Sequence, residues 1–238
     1  MADPVAAIAG LPSSALWAVP LTVPGGSTWQ QALASLRSAL NAERGLREAL
    51  DAMFAGVGWQ TAIGSMSTIE RTPTGARLTM RHPGTEPGQR EWDVDLDIDE
   101  SGTLWFSAAN VGLPDRNYNG IIYTGVFIDA VAIYVLEVLT FATVLSRELN
   151  YASAWDVGLA LTNLQGSRPI AAVDTPRATT VGAFGNGYEV ARYFRSTRAD
   201  VSELARESGV VLERLVGQLA RAMYADGYLK PLTNARQS

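Results

Sequence analysis

The chain has no cysteine and one histidine, His82, in 238 residues. The first absence removes disulfides, zinc–thiolate centres and cysteine nucleophiles together. The second leaves little for a histidine-based nucleophile relay or a zinc site, which need partners at ligand spacing. His82 adjoins Arg81 and opens the Pro/Gly stretch 82–89, so it reads as an exposed loop residue. Charge is also sparse: 18% of residues are charged and the net charge is -5. An acidic chain is repelled by phosphate polymers, so non-specific nucleic-acid binding is not its default behaviour. The first residues carry Asp3 and no Lys or Arg, unlike a secretory leader, and the expected location is cytoplasmic.

Phosphate-loop chemistry is missing too. Gly182-Ala183-Phe184-Gly185-Asn186-Gly187 is glycine-rich but lacks the Gly-Lys-Ser/Thr ending, and no strand with a dinucleotide-binding pattern leads into it. It reads as a connector, and no cofactor is implied. Asp93, Asp95, Asp97 and Asp99 have the alternate spacing of a calcium loop. The glycine and glutamate such a loop needs at its sixth and twelfth positions are replaced by Glu100 and Phe106 counting from Asp95, or by Ile98 and Leu104 counting from Asp93. Glu86, Glu91 and Asp115 are carboxylates without an assigned role as general acid or base. A glycosidase-like pair would need a pocket holding two of them about 5–9.5 Å apart.

What the chain does have is apolar residues, 47% of the total, enough for a sizeable core. The longest apolar stretch, Ile121–Leu145, contains Asp129 and Glu137. A mid-membrane Asp costs about 2.5–3.5 kcal/mol on insertion scales, so the stretch is expected as a buried helix over about 124–149, with no membrane partner.

Residues 1–26 hold Pro4, Pro12, Pro20, Pro24, Gly25 and Gly26 and read as an irregular arm. Ser27 and Gln30 have capping-box spacing, and Leu33, Leu36, Leu40, Leu46, Leu50 and Met53 follow at helical intervals. Met66–Arg71 and Arg77–Arg81 flank a Pro73-Thr74-Gly75 turn. Trp92–Ile98 alternates Val94, Leu96 and Ile98 against the aspartates, and Glu100-Ser101-Gly102 leads into Thr103–Ala109. Four antiparallel strands are expected, with one buried and one solvated face. Asp115–Gly120 reads as a polar turn, Trp155–Leu164 as a strand, and Tyr188–Arg198 and 201–226 as helices. The fold class is α+β: an N-terminal helix, an antiparallel meander, a long apolar helix and a helical C-terminal segment. The expected organisation is an arm at 1–26, a core domain at 27–168, a connector at 169–187 and the C-terminal segment at 188–238.

That last segment reverses the sign of the chain. From Tyr188 to Ser238 eight basic residues against six acidic ones leave it at +2. Arg192, Arg195 and Arg198 recur every third residue and would share a helix side. Asp200 and Glu203 have capping-box spacing. Leu204-Ala205, Gly209-Val210 and Leu215 follow the pattern of a helix-turn-helix, with Ala for close packing and Gly for the turn. Asp226-Gly227-Tyr228-Leu229 is like the start of a wing. In that reading Arg214, Gln218 and Arg221, with Glu213, face a DNA groove while Arg192, Arg195 and Arg198 hold phosphates. The alternative is an amphipathic helix burying Val211, Leu215, Leu219, Ala222 and Met223.

Trp155-Asp156-Val157-Gly158-Leu159-Ala160-Leu161-Thr162-Asn163-Leu164-Gln165-Gly166 resembles the Trp-Asp-x-Gly-x-Ala-x-Thr-x-Leu-x-Gly segment of an actinobacterial group of Schlafen/AlbA-type proteins described as DNA- or ATP-binding. Tyr193 with Thr197, then Glu203-Leu204 and Arg214-Leu215-Val216-Gly217, is similar to their helical tail. The resemblance covers about residues 120–225 and excludes the Schlafen/AlbA domain itself, so nucleotide or nucleic-acid binding does not carry over with it. It implies a structural or regulatory module. Two functions are therefore expected: an interaction or regulatory module acting through a protein partner or a homo-oligomer, and, as the alternative, a DNA-binding regulator.

Overall fold

The computed structural model describes residues 15–22, 67–72, 75–82, 92–99, 103–109, 111–118, 121–148, 151–170 and 187–234. The expected helix at 27–53, Glu86, Glu91 and most of the Gly182–Gly187 loop lie outside them.

The aspartate strand organises the larger sheet. β2 (Ser67–Thr72), β3 (Gly75–His82), β4 (Trp92–Asp99) and β5 (Leu104–Ala109) pair consecutively and antiparallel, as the turn signals require. Leu96 is buried, and Asp95 and Asp97 on the opposite pleat are half-buried. Asp97 faces Arg77 in register and takes two bonds from its guanidinium, Nε to Oδ1 at 2.7 Å and Nη2 to Oδ2 at 3.2 Å. Asp95 accepts from the Thr79 hydroxyl at 2.7 Å. Asp95 and Asp97 are thus answered by the neighbouring strand. His82 closes β3 opposite Trp92 instead of sitting in the following loop.

The sheet is wider than expected. Its order is β10-β8-β1-β5-β4-β3-β2, with β1 at Ala15–Thr22, β8 at Ala154–Thr162 and β10 at Arg192–Asp200. Part of the expected N-terminal arm is therefore an interior strand. Proline cannot donate to a ladder, yet Pro20 lies in β1. The registers with β5 and β8 both shift between Ala18 and Thr22, so a bulge accommodates it. The same device recurs in β6 (Gly112–Tyr118), where Pro114 falls within the shift between Leu113 and Arg116. β6 replaces the expected polar turn at 115–120, and Asp115 is one of its strand residues. With β7 (Ile121–Phe127) and β9 (Arg168–Ile170) it forms a three-stranded sheet in the order β6-β7-β9, β9 running parallel to β7.

Helix α1 (Ile128–Glu148) continues directly from β7, so the first part of the expected long helix is strand. Asp129 and Arg147 occupy its first and last turns, where they complement the helix dipole. By length and composition it could cross a membrane, but 78% of its apolar window is buried within the protein. Thr140, Thr143 and Ser146 donate their hydroxyls to the carbonyls of Leu136, Leu139 and Ala142, one turn back, at 2.7–2.8 Å. These bonds let three polar side chains enter a helix wrapped by apolar neighbours.

The core lies between α1 and the sheet face made by Leu96, Leu104, Phe106, Val157, Leu159 and Leu161, all nearly fully buried. Burying each large side chain contributes about 1.5–3 kcal/mol. Trp155, fully buried, donates its indole N–H to the Ser146 hydroxyl at 2.8 Å and so ties β8 to α1.

The chain ends in three helices: α2 (Val201–Arg206), α3 (Ser208–Ala222) and α4 (Asp226–Asn234). α3 packs on α1, α4 and β10. Met223 and Tyr224 end α3 in a Schellman arrangement. The Ala225 N–H reaches the Ala220 carbonyl at 2.7 Å and the Tyr224 N–H that of Arg221 at 3.1 Å.

Candidate nucleic-acid and partner interface

The six residues singled out from the sequence, Arg192, Arg195, Arg198, Arg214, Gln218 and Arg221, fall on two adjoining elements, β10 and α3. Residues 188–198 are not a helix. The chain enters β10 at Arg192, and nine unbroken register pairs join it to β8, from Arg192↔Thr162 to Asp200↔Ala154. Spacing by three is out of phase with a strand's period of two. Arg192 and Arg198 therefore share one pleat with Phe194 and Ser196, while Arg195 lies on the other with Tyr193, Thr197 and Ala199. Tyr193 and Ala199 are buried against the helices, whereas Arg195 stays exposed.

Arg195 meets α3 across a shallow groove of about 570 Å³ lined by Arg195, Ser196, Glu213, Arg214, Gln218 and Arg221. Four of the six sequence candidates are brought together there, and Arg192 and Arg198 are not. α3 can present this stripe because its other side is apolar: Val211, Leu212, Leu215, Val216 and Leu219 are fully buried. Ala222, expected in the core, is exposed.

The two α3 arginines are already engaged. Arg214 pairs with Glu203 of α2 at 2.6 Å, and Arg221 with Glu213 two turns back. The second pair depends on Gly217, which stands between its partners on the same helix face. A side chain there would occupy the space taken by the Glu213 carboxylate. Arg192, Arg195 and Arg198 make no salt bridge among the described residues. Phe194 between them is 38% exposed.

Several helix-turn-helix features take other forms. Asp200 is the N-cap of α2, but its side chain makes no cap bond, and Glu203 is committed to Arg214. A single residue, Glu207, separates α2 from α3, so Gly209 lies in the first turn of α3 and not in a connecting turn. Ala205, expected at a close helix contact, is exposed, and Ser208 is buried. Asp226-Gly227-Tyr228-Leu229 starts α4, because Leu229 packs into the core at 2% exposure, and no wing strand follows it among the described residues.

The tyrosines around the interface are held protonated. Burial pushes the Tyr193 phenol above its usual range, and the Arg195 guanidinium beside it opposes that shift. Burial raises Tyr188 and Tyr151 in the same direction. Tyr134 in α1 is raised further, first by burial and then by the charge of Glu137.

Sequence reasoning missed the edge strand and Phe194. The signal was present in Tyr193-Phe194 and Thr197, side chains suited to a pleated surface, but the three-residue recurrence of arginine fits a helix equally well. Comparison with family models, with curated proteins and with solved structures finds no match to this chain.

Proposed function

We propose that the protein is a non-catalytic interaction or regulatory module that acts through a protein partner or self-association at the corner formed by β10 and α3. The observation carrying this reading is Phe194, exposed on the end strand of the described sheet between Arg192 and Arg198, neither of which makes a salt bridge among the described residues. An exposed aromatic flanked by arginines has the composition of a binding hot spot. The likeness of residues 120–225 to a Schlafen/AlbA-type tail supports a regulatory role. The burial of α1 within the core supports a partner in solution over a bilayer.

A second reading, DNA binding, is favoured by the groove that gathers Arg195, Arg214, Gln218 and Arg221. Against it stand the carboxylates on Arg214 and Arg221, which a phosphate or base edge would have to displace.

The two readings separate in solution. The interaction module gives a concentration-dependent oligomer in sedimentation velocity, or a stable complex with a protein partner, and either is lost in the R192E/F194S/R198E variant without a change in unfolding midpoint. A strict monomer with no protein partner, binding duplex DNA with a salt slope that flattens on Arg195→Ala or Arg214→Ala, replaces it with the DNA reading.

A further inference from the structure

A strand at the end of a sheet keeps one row of backbone N–H and C=O groups directed away from its neighbour. Proteins usually blunt such an edge with short length, proline, a bulge or charged side chains. Among the described residues β10 ends the seven-stranded sheet, and of these devices it has only charge, in Arg192, Arg195 and Arg198, which repels a like-charged strand and admits an acidic one. β10 is nine residues long, contains no proline or lysine, and holds unbroken register with β8 throughout. Among the described strands the register shifts fall in β1 and β6 instead, each beside a proline.

We infer that the outer edge of β10 is a docking site for an acidic protein segment in extended conformation, added as an eighth strand. The inference rests on the interaction-module reading and names the chemistry of its partner. Side chains of an added strand alternate between the two sheet faces. Acidic residues on one face meet Arg192 and Arg198 on either side of Phe194, and the residues between them lie on the face of Arg195 and the groove beside α3.

Charge complementarity selects this occupant, and the chain contains the same arrangement internally. In the β3–β4 pair Arg77 stands opposite Asp97 and Arg81 opposite Asp93, and the first of these positions is a two-bond ion pair. β10 carries three arginines against the terminal Asp200, with only Asp156 of β8 in register with one of them. A second copy of β10 is the wrong occupant, since it would bring three arginines against three.

The probe is a fluorescein-labelled synthetic peptide with the sequence of Trp92–Asp99, titrated by anisotropy into the full chain. Two further peptides carry N-methyl groups on the odd or the even backbone amides. Only alternate amides of an added strand point at its neighbour, so one methylated peptide should bind at least tenfold more weakly while the other keeps most of its affinity. Replacing the four aspartates by asparagine, or using the R192E/R198E variant, should also weaken binding at least tenfold. Equal binding of both methylated peptides would show attraction by charge alone and overturn strand addition. No peptide binding, with an oligomer or complex still lost in the R192E/F194S/R198E variant, would overturn the acidic-strand inference and leave the interaction module standing. No peptide binding together with duplex DNA binding would sink both.

Discussion

The Tyr193 hydroxyl donates a buried 2.6 Å hydrogen bond to the backbone carbonyl of Leu215, 22 residues along the chain. It joins the end strand of the sheet to the middle of α3. The bond sets the relation between the two elements that frame the basic groove, since Arg195 lies two residues after Tyr193 on the same pleat and Arg214 immediately precedes Leu215.

Tyr193→Phe removes that bond and keeps the ring. Stability should fall by about 1 kcal/mol, the usual net worth of a buried neutral hydrogen bond. Urea unfolding measures it. An unchanged midpoint would mean the bond contributes nothing to docking α3.

Alkaline pH should destabilise the protein through its tyrosines. A phenol whose folded pKa lies above the unfolded value of 10.0 keeps its proton in the folded state while the unfolded state loses it. The stability this gives is complete below about pH 10 and is lost as pH rises through the folded values. Thermal melts between pH 8 and 11 should fall above about pH 10, less steeply for Tyr134→Phe. Identical slopes would remove Tyr134 from the account.

Ser146→Ala leaves the buried Trp155 indole N–H without its acceptor. An orphaned buried donor costs about 1–3 kcal/mol. Near-UV circular dichroism should also lose part of its tryptophan signal if the indole turns to find another partner. Wild-type stability would show that the bond is replaced at no cost.

Tyr224 has φ 54 at the left-handed position that ends α3, and it is 81% exposed. A left-handed conformation costs a side-chain-bearing residue about 1–2 kcal/mol, so Tyr224→Gly should stabilise the fold by about 1 kcal/mol. A lower melting temperature would place Tyr224 in a contact worth more than the strain it relieves.

Gly217→Ala tests the restraint on Arg221. The added methyl meets only the end of the Glu213 side chain, which can swing away. The helix gains up to about 1 kcal/mol of propensity, and the exposed ion pair given up is worth about 0–1 kcal/mol. Stability should be equal or higher, and an anionic partner should bind more tightly because Arg221 is released. Weaker binding would mean that the Glu213–Arg221 pair itself is recognised.

Much of the sheet was legible. The aspartate alternation of β4 and the turns at Pro73-Thr74-Gly75 and Glu100-Ser101-Gly102 identified β2 to β5, because a half-buried antiparallel sheet writes its period of two into the sequence. β8, buried on both faces, was legible because Val157, Leu159 and Leu161 alternate with the smaller Gly158, Ala160 and Thr162. β1 was hidden by Pro20, whose accommodation depends on bulges against two partners distant in sequence. β10 was hidden by the three-residue recurrence of its arginines, and its strand character comes from pairing with β8. The groove-lining residues on α3 were legible from amphipathicity. The carboxylates that hold two of them were not, since Glu203 belongs to another helix and Glu213 reaches Arg221 only over the bare Gly217.

Amide hydrogen exchange on the full chain, alone, with the Trp92–Asp99 peptide and with duplex DNA, tests the central claim most directly. The account predicts that alternate amides of 192–200 gain protection with the peptide, that DNA protects neither β10 nor α3, and that the buried side of α3 is unchanged throughout. Protection of α3 around Arg214, Gln218 and Arg221 by DNA, with β10 unchanged by the peptide, would contradict it.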